Sequence, residues 1–328
     1  MPPKPRMDRL FTATGRCFDV AIDHGIVNEA THLGGIQNMR ATLATIVGAA
    51  PDVIQLTPGT APLLHTFTGR PRPALALRAD VSNVYGPTVP SHTFSHLMDH
   101  ALDAALRLDA ACVVANLLLL PNQPELHHQC VANIATLRHR CEQVGMPLMI
   151  EPLVMAPNER AGGYMVDGDL ALITALVRQA AELGADIIKA DPCTDPQDFH
   201  KIVEVAGPIP VLVRGGGRVR DDELLARTAE IMSQGASGIV YGRNVIHHAH
   251  PDRMINALLA IVHHDVSPDA AADLLAGAAG RNGPNMAGIQ SHLSPQLPRP
   301  AVRANRRDHN PTAAPAAAVP IAQEEGTP

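Results

Sequence analysis

The chain has 328 residues, 46% of them apolar, and a formal charge of −6. It carries enough apolar material for one large or two ordinary cores. The negative balance, with three Tyr, five Phe and no Trp, excludes a phosphate-tracking, base-stacking surface for nucleic acid. No apolar run approaches the roughly 20 residues of a membrane-spanning helix, and residues 1–6 lack the apolar stretch of a secretory signal. Five cysteines without a CxxC pair fit a reducing compartment rather than a disulfide framework. A cytoplasmic protein is expected.

Short apolar, β-branched runs recur, each followed by a stretch of helical character. Strands are predicted at residues 18–23, 53–56, 74–78, 111–115, 148–153, 185–189, 210–214 and 238–242. Helices are predicted at 96–108, 126–144, 170–183, 196–205, 221–234 and 251–262. Eight strands alternating with helices imply parallel strands joined by right-handed crossovers, and eight closes a (β/α)8 TIM barrel. An open doubly wound sheet would also alternate, but no GxGxxG follows the first strand. The barrel places chemistry at the C-terminal ends of the strands.

The first strand ends in Asp23-His24-Gly25. A carboxylate there faces the barrel mouth, where it holds a substrate hydroxyl, stabilises an iminium or relays a proton; a cap or a loop salt bridge is the plainer alternative. Arg78, Asp80, Asn83 and Asn116 follow near the ends of the third and fourth strands and are candidates for contact with an aldehyde partner. In the fifth strand, Glu151 is the one ionisable group of an apolar run. Burial predicts a raised pKa suited to acid or base work near neutrality, and the alternative is a buried ion pair with a neighbour such as Lys189.

The sixth strand ends in Ile187-Ile188-Lys189, before Ala190-Asp191-Pro192. An amine at the end of a buried strand loses hydration, which favours the neutral, nucleophilic form that makes a Schiff base; a lysine snorkelling to water is the bland reading. The seventh strand runs into Arg214-Gly215-Gly216-Gly217, and the eighth into Gly242-Arg243-Asn244. Glycines after consecutive strands let backbone N–H groups approach an anion, and a helix beginning near Asn244 would add its dipole. The loops after strands seven and eight of such barrels commonly hold phosphate. Arg214, Gly215, Gly216, Gly217, Gly242 and Arg243 are therefore the phosphate-binding candidates.

Of the seventeen histidines, His127-His128, His247-His248 with His250, and His263-His264 cluster in or beside predicted helices, and none matches a ligand spacing such as HExxH. No metal and no cofactor are expected, because an iminium is its own electron sink. A barrel domain is assigned to residues 8–280. Residues 281–328, rich in Pro, Ala, Asn and Gln and without periodicity, are expected to form a flexible tail.

Asp23-His24-Gly25, Ile188-Lys189-Ala190-Asp191, Arg214-Gly215-Gly216-Gly217 and Gly235-Ala236-Ser237-Gly238 with Gly242-Arg243-Asn244 resemble, in order across residues 8–275, the DhnA-type class I aldolases of the DeoC/LacD superfamily. That group includes archaeal fructose-1,6-bisphosphate aldolases, the autoinducer-2 phosphate thiolase and aminodideoxyheptulosonate synthases. The resemblance implies a metal-independent TIM barrel in a homo-oligomer, often a decamer. It also implies the Schiff-base lysine at Lys189, the first-strand aspartate at Asp23, and phosphate glycines at Gly215, Gly216 and Gly242 beside Arg243. Where the archaeal aldolases carry a proton-transferring tyrosine on strand five, this chain has Leu153 and, two residues earlier, Glu151. A glutamate on that strand resembles the tagatose-bisphosphate aldolases. The catalytic candidates are thus Lys189, Glu151, Asp23 and His24, for cleavage or formation of a phosphorylated ketose with glycerone phosphate as product. The alternatives are acyl transfer, heptulosonate synthesis, or a non-catalytic sugar-phosphate-binding protein. The partner is a phosphorylated small molecule, with neither nucleic acid nor membrane involved.

Overall fold

The computed structural model describes residues 4–27, 30–68, 72–158 and 162–277. Its strands are β1 Cys17–Ala21, β2 Val53–Leu56, β3 Ala74–Arg78, β4 Asp80–Ser82, β5 Ser95–Leu97, β6 Cys112–Leu119, β7 Leu148–Pro157, β8 Tyr164–Val166, β9 Ile187–Ala190, β10 Val211–Arg214 and β11 Gly238–Tyr241. The helices are α1 Met39–Ala49, α2 Ala101–Arg107, α3 Pro124–Val144, α4 Leu170–Glu182, α5 Phe199–Ala206, α6 Asp221–Ser233, α7 Arg243–Ile246, α8 Pro251–His264 and α9 Pro268–Ala276.

Eight strands, β1, β2, β3, β6, β7, β9, β10 and β11, pair in parallel in that order, and β1 pairs β11 to close the sheet into a TIM barrel. The period-two alternation of a strand divides the core. On β1, Phe18, Val20 and Ile22 join the outer layer under the helices, while Cys17 and Ala21 join the inner one with Val53, Ala76, Cys112, Val114, Met149, Ile187, Leu212 and Val240. The end of the barrel where the strands begin is plugged by the N-terminal segment. A short 3-10 turn, Pro5–Arg9, is followed by Leu10, which packs into the inner cluster, and Lys4 donates to the Asp186 carboxylate at 2.8 Å and the Met146 carbonyl at 2.9 Å. The other end is left for a ligand.

Three departures from the sequence expectation lie at this open end. The predicted helix 96–108 starts later: β5 pairs antiparallel with β4, and the Met98 N–H bonds the Ala79 carbonyl, so this backbone is committed to a hairpin before α2 begins. The predicted helix 196–205 opens as a 3-10 turn, Pro196–Asp198, before α5. Beyond its expected end, β7 continues to Pro157 because β8 folds back on it, pairing Met155 with Val166. The expected tail, 281–328, lies outside the described residues. All five cysteines are buried and free, and among the described residues no helix is long and apolar enough to cross a membrane.

Asp19 is the anomaly of the inner layer. It is 0% exposed, and among the described residues neither carboxyl oxygen has a hydrogen-bond partner. Burial lifts its pKa to about 7, with the Lys189 charge opposing. An acid whose pKa is higher folded than unfolded keeps its proton only in the native state between the two values. Its contribution to stability therefore falls as pH rises from about 4 to about 7 and then levels off, an effect on the order of 4 kcal/mol. Asp19→Asn is expected to flatten this slope in denaturation free energies measured between about pH 4 and pH 8. An unchanged slope would show that Asp19 is ionised in the native protein.

Candidate functional site

Lys189, the third residue of the four in β9, points into the barrel because its neighbours Ile188 and Ala190 face the helices. Its Nζ lies 3.0 Å from Glu151 Oε1 of β7 and 3.3 Å from Gln55 Oε1 of β2. Lys189 is 4% exposed and Glu151 5%, so the pair sits at the dry floor of the cavity. The other Glu151 oxygen accepts from Arg78 Nη2 of β3, and Arg214 Nε of β10 lies 4.0 Å from Oε1.

Each arginine here is secured by a further anion. Arg78 donates through Nε to Asp23 Oδ2 at 2.8 Å and through Nη1 to Asn116 Oδ1 at 3.0 Å, and it also reaches Asp80 Oδ1 at 3.4 Å. Arg214 Nη1 lies 3.0 Å from Asp191 Oδ1, whose other oxygen accepts the Val154 N–H at 2.8 Å. Gln55 Nε2 donates to Asp23, so one amide spans the first-strand aspartate and the lysine. Burying charges is tolerated only when they are paired and hydrogen-bonded. In this network the buried groups neutralise one another.

The electrostatics correct one expectation. Burial raises the Glu151 pKa, but Lys189, Arg78 and Arg214 together outweigh it and bring the carboxyl down to about 2. Glu151 is therefore an ionised base in the free protein rather than a poised neutral acid. Asp23 is likewise held below the usual carboxylate range, burial being overcome by Arg78 and Lys189. Asp191 goes the other way: burial carries it to about 6 although Arg214 and the Val154 N–H oppose this. Burial lowers His24 to about 4 against the pull of Asp23. It is a neutral imidazole at neutral pH, and its buried Nε2 has no partner among the described residues.

A cavity of about 120 Å³ opens above this network, lined by Asp23, His24, Arg78, Asp80, Asn116, Glu151, Leu153, Lys189, Arg214, Gly215, Gly216, Gly242 and Arg243, among others. At Gly242 a Cβ would lie 2.6 Å from the Ala21 carbonyl oxygen, so only glycine lets this turn close over β1. Gly216 has φ +62°. Asn244 fixes the glycine loop, donating to the carbonyls of Gly215 and Gly217 at 3.2 Å each and accepting the Val219 N–H at 3.1 Å. Arg243 Nη2 donates to the Gly216 carbonyl at 3.2 Å. Among the described residues no carboxylate pairs with Arg243, so it is the pocket cation whose charge is not already answered.

Several candidates have other positions. Gly217 does not line the cavity, since the loop turns away after Gly216. The helix expected to present its dipole, α7, has only four residues, so the anion argument rests on the glycines and Arg243. Asn83 donates to the His92 carbonyl and accepts the Phe94 N–H, both at 2.8 Å, holding the β4–β5 connection rather than the pocket. Three of the clustered histidines have structural partners: His127 the Leu118 carbonyl, His248 Asp221, and His263 Asp52. Among the described residues no group of three or more His, Cys, Asp or Glu is arranged to hold a metal ion. The sequence reading missed Gln55, Asn244, Tyr85 and the anchoring role of Asp191. A polar Gln inside the buried run Val53–Leu56 is the signal that pointed to the first of these.

The chain matches the DeoC/LacD family aldolase over residues 17–248. An uncharacterized aldolase of Saccharolobus solfataricus is 29% identical over 273 residues, covering 82% of this chain and 97% of its own. The 3-hydroxy-5-phosphonooxypentane-2,4-dione thiolase of Escherichia coli is 31% identical over 272 residues, covering 82% of this chain and 85% of the thiolase. A Schiff base forming fructose-1,6-bisphosphate aldolase shares the fold, with a TM-score of 0.64 at 23% identity over 79% of this chain and 99% of that one. Since the family match runs without a break from β1 through α7 and takes in every strand of the barrel, the chain belongs to the DeoC/LacD family of aldolases.

Proposed function

We propose that the protein is a class I aldolase that forms a Schiff base through Lys189 and acts on a phosphorylated ketose or a related phosphorylated carbonyl compound. The observation that carries this reading is the Lys189 amine 3.0 Å from the Glu151 carboxylate on the floor of a pocket whose rim holds two glycine loops. Attack on a ketone requires the ammonium to lose a proton, and an ionised carboxylate at hydrogen-bonding distance accepts it. That proton leaves with the water expelled as the carbinolamine dehydrates, which returns Glu151 to its basic form. The protonated imine then withdraws the electron pair of the C3–C4 bond. The bond breaks as the C4 hydroxyl gives its proton to Glu151 and the aldehyde departs. Protonation of the enamine at C3 and hydrolysis of the imine release glycerone phosphate and the free amine. No metal or organic cofactor is required, because the iminium takes up the electrons.

In this scheme Asp23 acts through Arg78, whose guanidinium it shares with Glu151. His24 offers a neutral ring nitrogen to a substrate hydroxyl. Phosphate is bound by the backbone of Gly215, Gly216 and Gly242, with Arg243 and Arg214 supplying charge. The thiolase among the relatives supports a second reading, transfer of an acyl group from a phosphorylated diketone by the same lysine. The protein works as a soluble homo-oligomer in either case.

Borohydride added with glycerone phosphate is expected to leave a reduced adduct on Lys189, found by peptide mass spectrometry and unaffected by EDTA. Lys189→Met should abolish it. Absence of any adduct while the ligand still binds would overturn imine chemistry. For Glu151→Gln, carbon–carbon bond cleavage should fall on the order of 10²- to 10⁴-fold, read in single-turnover assays with fructose 1,6-bisphosphate or whichever ketose phosphate proves active. A loss of less than threefold would remove Glu151 from the proton-transfer role.

A further inference from the structure

Tyr85 has no part in the scheme above, yet it lines the cavity. It comes from the connection between β4 and β5, far in sequence from either glycine loop. Of the three tyrosines in the chain, Tyr241 is buried and bonded to the Thr228 hydroxyl at 2.9 Å, and Tyr164 is 5% exposed in β8 and away from the cavity.

Tyr85 is held by backbone on both sides. The Tyr164 N–H donates to the Val84 carbonyl at 2.9 Å. A Cβ on Gly163 would come within 2.9 Å of the Gly86 nitrogen and 3.1 Å of the Tyr85 Cα, and one on Gly162 within 2.0 Å of the Pro87 carbonyl oxygen. The Gly162–Gly163 turn therefore presses directly on residues 85–87, with no room for side chains between the two segments. The phenol ring leans on His32 at 5.3 Å between centroids and 54° between planes. Its oxygen accepts from Arg214 Nη2 at 3.4 Å. Because the arginine has only donors, this contact uses a phenol lone pair and leaves the phenol proton to be donated elsewhere. Arg243, which pairs with no carboxylate among the described residues, lines the same cavity with Gly215, Gly216 and Gly242.

We propose that Tyr85 is a specificity-determining residue of the phosphate subsite, donating its phenol O–H to a phosphoryl oxygen held at the glycine loops. The inference rests on the phosphorylated-substrate reading above and adds a residue to it. Arg214 fixes the phenol, Gly162–Gly163 fixes the backbone behind it, and the phenol proton adds a side-chain donor to the cavity that the glycine loops and Arg243 line. An unphosphorylated carbonyl compound gains nothing from this contact.

The test is Tyr85→Phe, which retains the ring against His32. Half-saturating concentrations for borohydride trapping are measured with glycerone phosphate and with glycerone, and inorganic phosphate binding is measured by calorimetry. The preference for glycerone phosphate over glycerone is expected to fall about 10- to 100-fold, the range for one hydrogen bond to a charged group, with a matching loss of phosphate affinity. An unaltered preference, or a lower maximal trapping rate at unaltered half-saturation, would overturn the proposal; the latter would make Tyr85 a proton-transfer group. Should the wild-type protein give no adduct with either compound, the Schiff-base reading fails by itself. The phosphate titration of wild type against Tyr85→Phe then decides the role of Tyr85 alone.

Discussion

The carboxylate of Glu151 sits among three cations, and the open end of the barrel is arranged around it. One oxygen meets Lys189 at 3.0 Å and Arg214 at 4.0 Å, and the other accepts from Arg78. None of these groups is more than 7% exposed. A lone charge in that position would cost several kcal/mol, and removing one member of such a cluster strands the others. Asp23, Asp80 and Asp191 are therefore required as well, each placed behind an arginine that the glutamate alone could not neutralise. The ionised state of Glu151 follows from this crowding.

The fold supplies the crowding at little local cost. In a closed parallel barrel every second residue of every strand points inward, so ionisable groups on separate strands converge without any being close in sequence. The lower layers are filled with Cys, Ala, Val, Met, Ile and Leu, and the N-terminal segment caps the strand beginnings. Above the network, glycines follow β10 and β11, and the longer β4–β5 connection brings Tyr85 to the cavity.

Asp19 does not fit this economy. It is an inward-facing carboxyl one layer below the network, without a partner, in a position where an apolar residue would fill the layer. Its neutral form is the state that burial selects, and the positive charge of Lys189 limits how far the selection goes.

The alternation of apolar runs with helical stretches was sufficient to identify all eight barrel strands, because a parallel strand buried on both faces needs an uninterrupted apolar segment that local composition reveals. Lys189, Glu151, Asp23 and the glycine loops were legible for the same reason: a charge or a run of glycines at the end of such a segment has no packing role to explain it. Ionisation states, pairings and long-range carriers were not legible. That Glu151 has a low pKa, that Gln55 joins Asp23 to Lys189, that Gly217 turns away from the cavity, and that a tyrosine arrives from the β4–β5 connection all depend on distances between residues tens of positions apart. The sequence by itself determined which residues face the barrel mouth, since side-chain parity is a local property of a strand. Only the closed barrel decided which of them touch, because contact and electrostatics depend on the register between strands, which no single strand encodes.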